Sequence, residues 1–149
     1  MKKPVTSEQS DPGPSPLTIA TDRVCGLVVR ARQFAGKYLA PDTEDGSNAT
    51  DDGMATVLEF DPNDSITIEL REYIAGLNVE EQADLIAIAW LGRDSGTRED
   101  WAGLRAEARE RNTQRTADYL MGMPLLADYL EEGLAVFGES CLEFEARDL

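Results

Sequence analysis

Histidine is absent from all 149 residues of this chain. Its absence removes the side chain that most readily changes charge near neutral pH, and with it the usual general base and the commonest metal ligand. Serine and cysteine nucleophiles lose their ordinary activating partner for the same reason. Cysteine is scarce as well: only Cys25 and Cys141 occur, far apart in sequence. Two are too few for a small secreted disulfide scaffold, and they read as two free thiols in a reducing cytoplasm. No run approaches the roughly 18 consecutive apolar residues that a membrane span needs. The opening Met1–Glu8 holds two lysines with no apolar stretch behind them, so no secretory signal is expected. Without one, the sequon Asn48-Ala49-Thr50 carries little weight. No glycine-rich phosphate loop is present, and lysine stops at Lys37, after which every basic residue is arginine.

Acid dominates what remains. The net charge is −15, a field that repels bare phosphate backbones and disfavours non-specific nucleic-acid binding. The length is that of about one domain, able to bury a core without metals or disulfides. Hydrophobic residues make up 42%, slightly few, which leaves part of the chain outside that core. Residues 1–16 are polar and contain Pro4, Pro12, Pro14 and Pro16, the composition of a disordered tail. The segment 40–64 is punctuated by Pro41, Gly46, Gly53 and Pro62, and its many carboxylates, Asp42 to Asp64, face no compensating base. It reads as a long acidic loop, of a length that is usually functional or disordered. Inside it, Met54–Phe60 suits either a short strand or a cover for the edge of the core.

Elsewhere the apolar residues recur at helical spacing. Val24, Leu27, Val28, Ala31, Phe34 and Tyr38 predict a helix within 17–39, capped by Leu17, Thr18 or Asp22. Gly26 and Gly36 weaken it by about 1 kcal/mol each relative to alanine, or mark the close approach of another helix. Ile68, Leu70 and Ile74 predict a short helix ending at Gly76. Asn78-Val79-Glu80-Glu81 is a capping box, which starts a helix over Val79–Leu91. That helix is apolar on nearly all sides and belongs in the middle of a bundle, with Gly92 as its C-terminal cap. Thr97 is the next N-cap, with Glu99 and Asp100 at the positive end of the dipole. Trp101, Leu104 and Ala108 follow at helical spacing. A further helix starts at Asn112 or Thr113 and breaks at Gly122, and Pro124 opens a last one that closes at Gly138. Residues 142–149 form a C-terminal tail.

Each chemical motif has a plain structural alternative. Asp61–Glu72 has oxygen ligands at calcium-loop spacing, but the glycine required at its sixth position is Ile66; a helix start with Asp64 or Ser65 as cap explains it better. Thr116–Leu126 has the rhythm of a helix-turn-helix, yet its second helix offers Asp128, Glu131 and Glu132 to bases that arginine, asparagine or glutamine would read. Glu80 and Glu81 are no acid–base pair, because Glu81 serves the cap. Asp100 with Arg93, Arg98, Arg105 and Arg109 beside Trp90 and Trp101 is a candidate polar pocket, with Arg93, Asp100, Trp101 and Arg105 as the candidate ligand residues, since arginine forks bind carboxylates or phosphates; the alternative is a set of surface ion pairs. No catalytic residue, metal ligand or cofactor site is expected.

The segments Val28–Phe34, Leu77–Leu85, Ala89–Arg93, Asp100-Trp101, Ala106–Ala108 and Thr116–Leu134 together resemble the bacterial family called domain of unknown function 3775. The resemblance spans most of 17–141 and is most specific at Trp90–Arg93 and Tyr119–Leu134. It implies a small bacterial cytoplasmic protein and brings no activity with it. The sequence thus predicts an all-α domain of about five helices over 17–141, orthogonal or bundle-like. Its expected role is protein interaction or adaptor, as a homodimer or with a protein partner, without catalysis. A small anionic-ligand binder, and a nucleic-acid-related regulator or DNA mimic, are the alternatives.

Overall fold

The computed structural model describes residues 16–39, 61–112, 115–142 and 144. The expected tail over the first fifteen residues, most of the acidic segment including Met54–Phe60, and the last five residues lie outside them. Among the described residues there are six α-helices and no strand: α1 (Thr21–Phe34), α2 (Ser65–Ala75), α3 (Val79–Arg93), α4 (Trp101–Arg111), α5 (Thr116–Met121) and α6 (Leu126–Val136). A π-helical turn, Ala35–Leu39, extends α1, and a 3-10 turn, Arg98–Asp100, leads into α4. The fold is all-α, as the periodicity predicts.

The helix α3 is the axis of the molecule. Every residue from Ala83 to Gly92 is buried, so it meets protein on all sides. It packs chiefly on α6 and α4, while α1 covers α6 and α2, and α2 reaches α5. Its start follows the predicted capping box: the Glu81 N–H donates to Asn78 Oδ1 at 2.8 Å, and the Asn78 N–H donates to Glu81 Oε1 at 3.0 Å. Its end does not follow the prediction. Gly92 does not terminate the helix, which runs on to Arg93 with Asp94 as C-cap. A methyl group at Gly92 would overlap the Tyr129 carbonyl of α6, and one at Gly133 would overlap the Ile88 carbonyl of α3. The two glycines let the α3 and α6 backbones touch, a close approach no other side chain permits.

The remaining ends also show where local signals held. Gly138, at φ 77°, closes α6. Its N–H donates to the Ala135 carbonyl at 2.9 Å and the Glu139 N–H donates to the Leu134 carbonyl at 3.1 Å, the paired bonds of a Schellman motif. Pro124 lies ahead of the helix, not in its first turn, because α6 begins at Leu126. For α1, none of Leu17, Thr18 or Asp22 is the cap: Ala20 holds that position with no side-chain bond. Its start is fixed from outside, by α3. Its end is tied to α2, where Asp64 accepts from Lys37 at 2.9 Å and from the Tyr38 hydroxyl at 2.8 Å.

The reading of two free thiols is overturned. Cys25 of α1 and Cys141, beyond α6, form a disulfide with their Cα atoms 5.5 Å apart, across a sequence separation of 116 residues. Two cysteines this distant carry no spacing signal; only the fold of the intervening helices brings them together.

Candidate functional site

The first two turns of α3 carry a charged network that reaches the core. Asp84 is the only charged residue among the described residues that is fully buried. Its carboxylate accepts the backbone N–H groups of Thr18 and of Ile19, the latter at 3.0 Å, and the Arg105 Nε–H of α4. A buried carboxylate survives only when paired and hydrogen-bonded, and three donors from two other segments satisfy this one. Arg105 also donates to the carboxylate and carbonyl of Glu80, and Arg109 donates to Glu80 at 3.0 Å. Asn112 donates to the Val79 carbonyl at 3.2 Å.

Arg105, Arg109 and Asn112 stand at i, i+4 and i+7 and so share one face of α4. That face reads Val79, Glu80 and Asp84 on α3. The helix needs it, because only Trp101 and Ala108 of α4 are buried. Electrostatics follow from these pairs. Arg105 and then Arg109 hold the Glu80 carboxyl below its ordinary value. Burial works to lower the Arg105 value, but Glu80 and Asp84 outweigh it and the guanidinium is raised overall.

The four residues singled out from sequence sit in different surroundings. Arg105 belongs to the network just described. Asp100 turns back on its own loop, accepting the Thr97 N–H at 2.8 Å. Trp101 enters the core and meets Phe137 edge-on, ring centroids 5.2 Å apart. Arg93 pairs with its neighbour Asp94 at 3.0 Å, which lowers the Asp94 carboxyl. Asp100 and Trp101 are adjacent at the start of α4, and the two arginines face separate carboxylates. Trp90, noted beside them, donates from its indole to the Tyr119 hydroxyl at 2.8 Å.

Sequence reasoning passed over Asp84, whose partners lie 21, 65 and 66 residues away. One signal could have found it: a lone acid on an otherwise apolar helix face. In the helix-turn-helix segment, Asp128 and Glu131 are bound to Arg32 of α1 at 3.0 and 2.9 Å. Among the described residues no group of three or more potential ligands is placed to hold a metal, and no helix is long and apolar enough to cross a membrane.

Two surface grooves flank this arrangement. One, of ≈ 540 Å³, lies where α2, α3, α4 and α5 meet and is lined by Ala75, Val79, Gln82, Arg109, Asn112, Thr116 and Ala117. The other, of ≈ 470 Å³, is lined by Gly96, Thr97, Arg98, Glu99 and Val136. None of Arg93, Asp100, Trp101 and Arg105 lines either one. Val79 is 47% exposed at the first groove, although it begins the most deeply buried helix.

Comparison with known proteins gives a family similarity over part of the chain. No curated protein and no solved structure matches the chain. Residues 67–138 match the family described as "Protein of unknown function (DUF3775)". The match runs from the first turn of α2 to the glycine that closes α6. It includes Asp84, Arg105 and the Gly92–Gly133 contact, and leaves out α1 and both cysteines. Over residues 67–138 the chain is similar to the DUF3775 family.

Proposed function

We propose that this protein is a protein-interaction module without catalysis, an adaptor or self-associating unit that docks its partner in the groove between α2, α3, α4 and α5. Val79 carries this reading: an aliphatic side chain held at the surface, in a groove, by the first turn of the central helix. Ala75 and Ala117 extend the apolar floor, and Gln82, Arg109, Asn112 and Thr116 supply a polar rim. An apolar centre inside a polar rim is the anatomy of a protein interface. The arginine at this rim is matched by Glu80, so a partner meets little uncompensated charge. The proposed setting is a bacterial cytoplasm. A photo-crosslinking side chain placed at position 79 in cells should trap a second copy or a partner protein. The same probe at the exposed Ala102, outside the groove, should trap none. Equal trapping at both positions, or none at 79, contradicts the reading.

A second reading, a binder of small anionic ligands at Arg93, Asp100, Trp101 and Arg105, draws support only from Arg98, which lines the neighbouring groove. Trp101 fluorescence should then change with an anionic metabolite, and silence across a broad panel removes this reading.

A further inference from the structure

The Cys25–Cys141 bond joins two flanks of very different anchorage. Cys25 is wholly buried in α1, a helix held by Val24, Leu27, Val28, Ala31 and Phe34 in the core. Arg32 ties the same helix to Asp128 and Glu131 of α6, and Arg30 ties it to Glu69 of α2 at 3.1 Å. Cys141 sits at a bend just ahead of the helical residues Leu142 and Phe144. Ser140 beside it is exposed, Leu142 is 75% exposed, and the Leu142 N–H donates only locally, to Ser140 Oγ at 3.0 Å. Cys141 itself is 5% exposed, against 0% for Cys25. Both cysteines lie outside the family-matched 67–138, so the bond fastens flank to flank and closes no contact within the matched helices.

We propose that this disulfide is a redox-operated clasp. Closed, it holds the segment 139–142 against α1. Opened by a dithiol reductant, it frees that segment and leaves α1 and the matched helices in place. In the opening step a thiolate of the reductant attacks the Sγ of Cys141, the less deeply buried of the two residues, and the S–S bond breaks. Cys25 leaves as a thiolate and takes a proton. The reductant's second thiol then resolves the mixed disulfide and releases the Cys141 thiol. Two electrons and two protons pass to the protein, and the reductant becomes a disulfide. The surrounding helices set the response: α1 keeps its many apolar contacts without the bond, whereas the segment bearing Cys141 has few, Cys141 itself and the half-buried Phe144 beyond it. The inference is independent of the docking groove.

Hydrogen exchange with mass spectrometry on the full chain tests the clasp, comparing the air-oxidised protein, the same protein in excess dithiothreitol, and the Cys25→Ala/Cys141→Ala double variant. The oxidised chain should have an intact mass two hydrogens below the reduced one. Reduction and the double variant should each speed exchange of the amides over 139–142 at least tenfold, and leave those of α1 and α3 unchanged. Three results overturn the proposal. One is unchanged exchange over 139–142. Another is faster exchange throughout the helices, which makes the bond a staple of the whole fold. The third is an air-oxidised chain that still carries two free thiols.

Discussion

Asp84 and Gly92 show how single residues set this structure against the grain of their local sequence. Asp84 stands on a helix that is otherwise apolar along its buried stretch, and it holds Arg105 and the backbone ahead of α1 together. Asp84→Ala would leave two backbone donors without their acceptor and the half-buried Arg105 with Glu80 as its remaining carboxylate. Breaking a buried pair by deleting one partner costs about 3–5 kcal/mol. Urea unfolding should show a loss of that order; a loss under about 1 kcal/mol, the scale of an exposed pair, would contradict the assignment. Gly92 is legible as a helix terminator and acts as a contact surface instead. Gly92→Ala forces α3 from α6 and should cost about 1–3 kcal/mol or more. Gly103 on α4 has open space around it, so Gly103→Ala should stabilise by about 1 kcal/mol. Thermal melts of the two variants moving in the same direction would count against the close crossing. The Gly92 contact could not be read from sequence, because it depends on atoms of α6; Asp84 left one trace, a lone acid on an apolar helix face, while its partners lie in distant segments.

At the scale of elements, legibility followed locality. The Asn78–Glu81 box and the Gly138 closure involve residues within a few positions of one another, and both form as their sequences predict. Where a helix start is fixed from afar, the local candidates failed: α1 takes Ala20 as its cap because α3 supplies the anchoring carboxylate. The polar face of α4 was only half legible. Its arginine spacing is visible in sequence, but ion pairs along one helix would use the same residues, and only the fold turns Arg105 and Arg109 toward Glu80. That pairing has a pH signature. Arg105 and Arg109 lower the Glu80 carboxyl from its ordinary 4.5, so the folded state holds fewer protons than the unfolded one in this range. The stabilisation is therefore fully present above pH 4.5 and is lost as the pH falls through the lowered folded value. Wild type and Glu80→Gln should differ in urea midpoint at pH 7 and converge in strong acid. A gap that widens as the pH falls would reverse the sign and contradict the pairing.

The whole molecule is a buried helix, α3, dressed by its neighbours, with the family-matched part closed at Gly138 and α1 laid over α2 and α6. The all-α class and the central place of α3 were readable because apolar periodicity records burial directly. The disulfide was not, since a pair separated by 116 residues reports tertiary proximity alone. The groove at Val79 was equally hidden: Val79 looks like an ordinary first-turn residue until four helix ends gather around it. Val79→Glu is a sharp probe of that groove. Acid at the first position suits the positive end of a helix, so α3 stays capped while the groove loses its apolar centre. The central claim, a protein-interaction module that docks at Val79, is tested most directly by native mass spectrometry of the full chain purified gently from its own cells, with Val79→Glu alongside. The account predicts a second copy or a partner protein on the wild type and a bare monomer for the variant. A bare monomer for both, an added mass of small-molecule size, or equal protein occupancy on both would contradict it.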